Sequence, residues 1–220
     1  MKILIKFPTR NRKNKFFETL QKYYDFATDV SKIEFLITLD YDDESMNNQE
    51  VIDKLKSYEN LKFVFGKSNN KIHAVNRDIE LDDWDIILLA SDDMIPIEKG
   101  YDEQIRLNMN INYPNTDGIL WFNDGNRKDL NTLCILGKKY YERFGYIYHP
   151  DYKSLWADNE FMIVGDLLEK QIFIDKVIIH HQHPDWGYGG KDNIHSLNST
   201  HNIEDKTTFQ NRKKINFNLS

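Results

Sequence analysis

The sequence holds a single cysteine, Cys134, so neither an internal disulfide nor a cysteine-ligated zinc site is open to it. That cysteine lies inside the apolar run Leu133-Cys134-Ile135-Leu136, which predicts a buried structural thiol rather than a nucleophile. Positive charge is also short: 29 Lys and Arg stand against 35 Asp and Glu, a formal net charge of −6. The chain therefore lacks the polybasic footprint of a non-specific nucleic-acid binder. One local basic cluster exists (Arg127, Lys128, Lys138, Lys139, Arg143), and no duplex nucleic acid is expected as a partner. No apolar segment approaches the length of a transmembrane helix. The apolar part of Met1-Lys2-Ile3-Leu4-Ile5-Lys6-Phe7 is too short for a secretory signal, and a charged, helix-like segment follows it. The expectation is a soluble, cytoplasmic protein. Internal repeats and low-complexity linkers are missing, and no glycine follows the first apolar strand, so a glycine-rich phosphate loop is missing too.

What is present is core-forming material. A hydrophobic fraction of 40%, with 13% aromatic residues, is enough to exclude global disorder. A length of 220 residues fits one domain, or one with an appendage. Strand-like apolar runs occur at 2–7, 33–39, 61–65 and 85–90, and helical spacing occurs at 13–29, 47–57, 70–80 and 98–110. This alternation with short connections is the pattern of a parallel sheet in an α/β domain. It breaks after residue 115. Further strands are predicted at 118–122, 132–136 and 173–181, and helices at 140–144 and 158–170. The second half is expected to complete the sheet and to wall its edge with a small mixed sheet. A domain over 1–195 divides at 115/116 into two halves, and 196–220 reads as an irregular tail, mobile or bound to a partner.

The run Ile86-Ile87-Leu88-Leu89-Ala90-Ser91-Asp92-Asp93-Met94-Ile95-Pro96 concentrates the chemistry. A buried strand ends in two adjacent carboxylates, at the edge where open α/β sheets bind ligands. Two acids there can hold a divalent cation and, through it, a phosphate. The alternative is that Ser91 or Asp92 caps the helix that follows Pro96. Parallel topology brings three more strand ends to the same edge. They carry Pro8-Thr9-Arg10-Asn11-Arg12, then Asp40 and Asp42, then Lys71, Asn76 and Arg77. Acids ringed by Arg and Lys suit a metal-bound diphosphate on a nucleotide.

These segments resemble the glycosyltransferases of the GT-A fold, close to the large family-2-like group. Phe7-Pro8-Thr9-Arg10-Asn11-Arg12 is similar to the first-strand segment that surrounds the nucleotide base, and Asp40 resembles the acid that contacts base or ribose. Lys71-Ile72-His73-Ala74-Val75-Asn76-Arg77 is similar to the helix start near the ribose and diphosphate. Leu89-Ala90-Ser91-Asp92-Asp93 resembles the DxD-type metal motif, with Ala90 in place of its first acid. The resemblance implies a single Rossmann-like domain in which Pro8, Thr9, Arg10, Arg12, Asp40, Lys71, Asn76, Arg77, Ser91 and Asp92 hold the nucleotide sugar. Asp93 is the implied direct metal ligand.

The second half extends the likeness. Tyr152-Lys153-Ser154-Leu155-Trp156-Ala157-Asp158-Asn159-Glu160-Phe161 is similar to the region where the family places its catalytic acid, at Asp158 first and Glu160 second. The competing reading of both is favourable charge in a first helical turn. In Val177-Ile178-Ile179-His180-His181-Gln182-His183-Pro184, strand alternation puts His181 and His183 on one face. The resemblance implies a metal ligand there, His183 first and His181 second. Imidazole beside carboxylates suits Mn²⁺, with Mg²⁺ as the other choice. Asp124, Trp156 and Trp186 are candidates for the acceptor side, and 186–192 reads as an aromatic loop able to cover a donor sugar. Tyr146, Tyr148 and Tyr152 read as core or rim.

The function implied is metal-dependent transfer of a sugar, from a UDP-sugar by preference, to a hydroxyl on a glycan, a lipid-linked sugar, a protein or a modified base. Inversion with a carboxylate base is expected by resemblance. Two alternatives stand beside it: a nucleotidyltransferase on a similar sheet, which the missing glycine loop disfavours, and a non-catalytic carbohydrate- or partner-binding module on a transferase scaffold.

Overall fold

The computed structural model describes residues 1–80, 83–188, 196–197 and 199–219. Its centre is a seven-stranded sheet in the order β3-β2-β1-β4-β7-β6-β8. The strands are β1 (Ile3–Pro8), β2 (Ile33–Asp40), β3 (Leu61–Gly66), β4 (Ile86–Leu89), β6 (Ile119–Phe122), β7 (Ile135–Gly137) and β8 (Gln171–Ile174). The pairs β1–β2, β1–β4, β2–β3 and β6–β8 are parallel, whereas β7 runs antiparallel to both β4 and β6. A mostly parallel α/β sheet is therefore the observed architecture, as the alternation of the first half predicts.

Strand periodicity divides the core in two. Ile3, Ile5 and Phe7 of β1 face helix α1 (Lys13–Phe26), where Phe7 meets Phe16 edge-on at 4.9 Å. Leu4 faces the other layer, with Ile72 and Val75 of α3 (Lys71–Asn76) and Phe161 of α6 (Ala157–Leu167). Covering both faces is what makes the central strands β1 and β4 almost continuously apolar. Lys6 is the exception, fully buried in β1. Its ammonium donates to the Thr38 hydroxyl and to the Arg77 carbonyl at 2.6 Å, and burial lowers its pKa to about 7.

A second, two-stranded antiparallel sheet joins β5 (Met94–Pro96) to β9 (Ile179–His181), with Met94 opposite His181. The single strand predicted at 173–181 is thus two strands in two sheets. β8 ends where its partner β6 ends, with Ile174 opposite Phe122. Asp175 then accepts from Asn123 Nδ2 and Lys128 Nζ, and the chain turns towards β5. Helix α2 (Gln49–Lys56) starts at an Asn48 cap, and α4 (Tyr101–Asn112) starts after Gly100, whose φ is +84°. The helix predicted at 70–80 stops at Asn76, because Arg77 is extended and Asp78 has a φ of +71°.

The tail is the main correction. Residues Asn202–Lys214 form a helix, α7, folded against the chain's own body. Its mixed polar sequence carries no apolar stripe, so periodicity could not reveal it. Buried polar contacts hold it instead. Arg212 pairs with Glu160 at 2.7 Å, Asp205 is fully buried, and Phe217 closes the end beyond the helix. α5 (Lys138–Glu142) completes the helices used below.

Candidate active site

A cleft of about 580 Å³ opens along the carboxyl ends of β1, β2 and β4. Pro8, Thr9, Arg10, Arg12, Asp40, Lys71, Ser91, Asp92, Asp93, Asp158, His181 and His183 all line it. The strand ends bring the first-half residues there, and β9 and the start of α6 supply the rest.

One end is built on Asp40. Its Oδ2 accepts from Arg10 at 2.8 Å and its Oδ1 from the Ser68 backbone N–H at 3.0 Å. Arg10 also grips Asp42 through two bonds, of 2.6 and 2.8 Å, and these contacts raise the guanidinium pKa. Asn70 caps α3 by accepting from His73 N at 2.8 Å, which sets Lys71 at the cleft edge.

The centre is the Ser91-Asp92-Asp93 corner. Neither Ser91 nor Asp92 caps a helix, since α4 begins only at Tyr101. Asp92 accepts from Arg12 at 2.7 Å, yet burial, helped by the like charge of the neighbouring Asp93, raises its carboxyl against that contact. Asp93 is also pushed up by burial, but His181, the Ser91 hydroxyl and the charge of Lys71 hold it well below the usual carboxylate range. The β5–β9 register decides this juxtaposition. Gln182 N donates to Asp93 O at 2.7 Å and His181 N to Asp124 O at 2.9 Å, leaving His181 Nε2 3.6 Å from Asp93 Oδ2. The His183 ring lies 5.6 Å from that of His181, and Trp186 packs edge-on against both at 5.2 and 5.6 Å.

The far wall carries Asp158, half-buried in the first turn of α6. Burial raises its carboxyl, opposed by the charge of Lys71, by the Asn159 N–H at 2.9 Å and by Arg127. Thr132, Tyr148, Ser154 and Leu155 line the same region; Thr132 belongs to no sequence motif, whereas Ser154 and Leu155 lie in the 152–161 segment. Buried Thr9 Oγ1, Asp92 Oδ2, Ser154 Oγ and His181 Nδ1 have no hydrogen-bond partner. Buried polar atoms are normally satisfied, so four orphans on residues of one cleft point to a polar ligand.

A divalent ion fits this corner in part. Two donors each ~2.1 Å from one ion lie roughly 3–4 Å apart, which the 3.6 Å between Asp93 Oδ2 and His181 Nε2 matches. Among the described residues, no three His, Cys, Asp or Glu side chains form a ready metal cluster. An octahedral ion that keeps waters and takes phosphate oxygens needs only such a partial protein set. Ala90, buried at the cleft floor, leaves the missing acid of the motif unreplaced in sequence.

Six expected site residues point elsewhere. Asn76 closes the 146–148 turn, donating to Tyr148 O at 2.6 Å and accepting from Ile147 N and Tyr148 N. Arg77 folds back onto Leu39 O, Ser68 Oγ and Asp78. Glu160 is sequestered by Arg212 and the Tyr152 hydroxyl. Asp124 is a buried turn former, accepting from Asn126 N and Arg127 N at 2.8 Å and from the Thr132 hydroxyl at 2.6 Å. It backs His181, with its Oδ2 3.9 Å from Nδ1. Trp156 packs on Phe209 of α7, and Trp186 stands behind the histidines rather than on the cleft surface. Of the aromatic loop, 189–192 lies outside the described residues. The basic cluster is divided among partners: Arg127 pairs with Asp129, Lys128 with Asp175 and Arg143 with Asp117.

No protein-family model matches the sequence, and no curated protein matches it significantly. Solved structures do match in three dimensions. The mannosyltransferase PcManGT from Pyrobaculum calidifontis, in complex with GDP-Man and Mn²⁺, aligns with a TM-score of 0.67 at 15% identity, over 85% of this chain and 58% of that one. TarS 1–349 from S. aureus, in complex with UDP-GlcNAc, aligns at 0.69 and 14% identity, over 89% of this chain and 61% of that one. A longer TarS structure aligns at 0.64, with 36% of its length covered. This chain thus spans less than two thirds of each of these proteins. At such identities the likeness establishes the fold, and it is the GT-A type of fold that the sequence motifs imply.

Proposed function

We propose that the chain is a metal-dependent glycosyltransferase, moving a sugar from a nucleotide-diphosphate sugar to a hydroxyl acceptor. The observation that carries this reading is the convergence on one cleft of the Arg10–Asp40 pair, the Asp93–His181 pair and the raised carboxyl of Asp158. The fold shared with structures holding GDP-Man with Mn²⁺ and UDP-GlcNAc supports the donor class. We choose a UDP-sugar as donor and Mn²⁺ as the ion.

Arg10 and Asp40, with Pro8 and Thr9 above the β1 end, hold the nucleoside. Asp93 and His181, with His183 beside them, hold the ion. When bound, that ion supplies Lewis-acid neutralisation of the departing diphosphate. Lys71 adds a fixed positive charge between the diphosphate side and Asp158. Asp158 accepts the proton of the acceptor hydroxyl as its oxygen bonds the anomeric carbon and the sugar–phosphate bond breaks. Burial makes that carboxylate a stronger base than an ordinary Asp, which suits the role. A single displacement of this kind inverts the anomeric centre.

The test is to incubate the chain with Mn²⁺ and a panel of UDP- and GDP-sugars, reading nucleotide release and thermal shift. A Mn²⁺-dependent shift with UDP that disappears in Asp93→Ala is the expected result. Absence of any shift or release across the panel overturns the reading.

A further inference from the structure

Helix α7 grips the loop at the cleft wall through a buried carboxylate. Asp205 is fully buried, and three consecutive backbone N–H groups converge on it. Its Oδ1 accepts from Lys153 at 2.9 Å, and its Oδ2 accepts from Ser154 at 2.9 Å and Leu155 at 2.8 Å. The loop so gripped ties Asp158 of the far wall to Lys71 at the cleft edge. Ile72 N, next to Lys71, donates to Lys153 O at 3.3 Å, and Asp158 follows the loop at the start of α6.

The residue between loop and helix needs outside support. Trp156 has a φ of +64°, a left-handed conformation that a bulky side chain holds only when its surroundings impose it. The surroundings are again α7. The indole Nε1 donates to Asn202 Oδ1 at 2.9 Å, and its ring lies 5.3 Å from that of Phe209. Arg212 makes the second anchor, bonding Glu160 one turn into α6 through Nε at 2.7 Å and a terminal nitrogen at 2.8 Å.

We propose that Asp205 is a positioning residue for the transfer reaction: by fixing the N–H groups of 153–155 it sets where Asp158 stands relative to Lys71. The C-terminal helix then belongs to the reaction machinery rather than to an appendage. The inference rests on Asp158 being the base. A buried carboxylate taking several charge-assisted bonds is a stiff anchor, and displacement of a reacting group by about 1 Å costs on the order of 10²-fold in rate. An asparagine here offers one acceptor oxygen instead of two and turns an NH₂ towards backbone N–H groups, so the loop must shift.

The experiment uses the full chain, Mn²⁺ and the nucleotide sugar of the panel that the wild type turns over. Asp205→Asn is expected to lower kcat by about 10- to 100-fold with donor KM changed less than ~3-fold, and to move the acid limb of the kcat–pH profile. Met109→Ala, which empties a core position on the distant α4, serves as the control for stability alone. Asp205→Glu keeps the charge but advances the carboxylate by one methylene, and is expected to show the same kcat loss should the asparagine variant not fold. Wild-type kcat and acid limb in either folded variant overturn the inference, as does a kcat loss no greater than that of Met109→Ala at equal Tm. A wild type with neither turnover nor donor-linked shift overturns the transferase reading instead.

Discussion

At the scale of single residues, Asp158 and Lys6 show what burial does to a charge. Asp158 has its carboxyl raised, so the folded state binds a proton more readily than the unfolded state, and stability falls as pH rises through that raised value. Asp158→Asn removes the penalised charge. We expect Tm to stay level or rise while transfer drops by roughly 10²–10⁴-fold and UDP binding persists. Equal transfer in this variant would move the base elsewhere. Lys6 shows the opposite sign. Its pKa is lowered to about 7 by burial, opposed by Asp78 and assisted by Arg77. The unfolded chain binds the extra proton between that value and the free-lysine range near 10.5, so stability rises with pH across this window. Chemical denaturation of the wild type and of Lys6→Met should show this rise in the wild type and its loss in the variant. The residues that reach the cleft from the first half were legible because a strand end fixes position before side-chain direction matters. Asn76 and Arg77 also follow a strand end, but their side chains turn inward, to a turn and to a buried network, which no local pattern reveals.

At the scale of elements, the ionic seam between α6 and α7 replaces the apolar stripe that α7 lacks. Removing one partner of a buried pair leaves an uncompensated charge, at a cost of about 3–5 kcal/mol. Arg212→Met should show that loss in denaturant unfolding, and adding Glu160→Gln should recover much of it. If the single variant unfolds like the wild type, the seam carries no stability. Glu160 shows why sequence alone ranked it as a base. Its place in a first helical turn is visible, whereas its partner lies 52 positions along the chain. The small sheet is a similar case. β5 is three residues long, and its partner β9 lies inside what reads as one longer strand, so only the fold reveals the pairing that sets His181 beside Asp93.

At the scale of the whole molecule, ligand and fold are linked by mass action. A ligand at 100 times its Kd stabilises the native state by about 2.7 kcal/mol. UDP with Mn²⁺ should therefore raise Tm in proportion to log concentration, and EDTA should abolish the nucleotide-linked part. A UDP shift indifferent to EDTA would remove the ion from the site. No helix among the described residues is long and apolar enough to cross a membrane, which agrees with the hydropathy of the sequence. The sequence by itself determined the α/β alternation, the parallel strand ends and the acids placed on them, because periodicity and strand termini are local properties of the chain. The tertiary structure alone decided which carboxylates face the cleft, which histidine stands against Asp93, and that the last helix grips the loop before Asp158. Each of those rests on contacts between residues far apart in sequence, and a buried polar partner leaves no periodic trace in the segment that meets it.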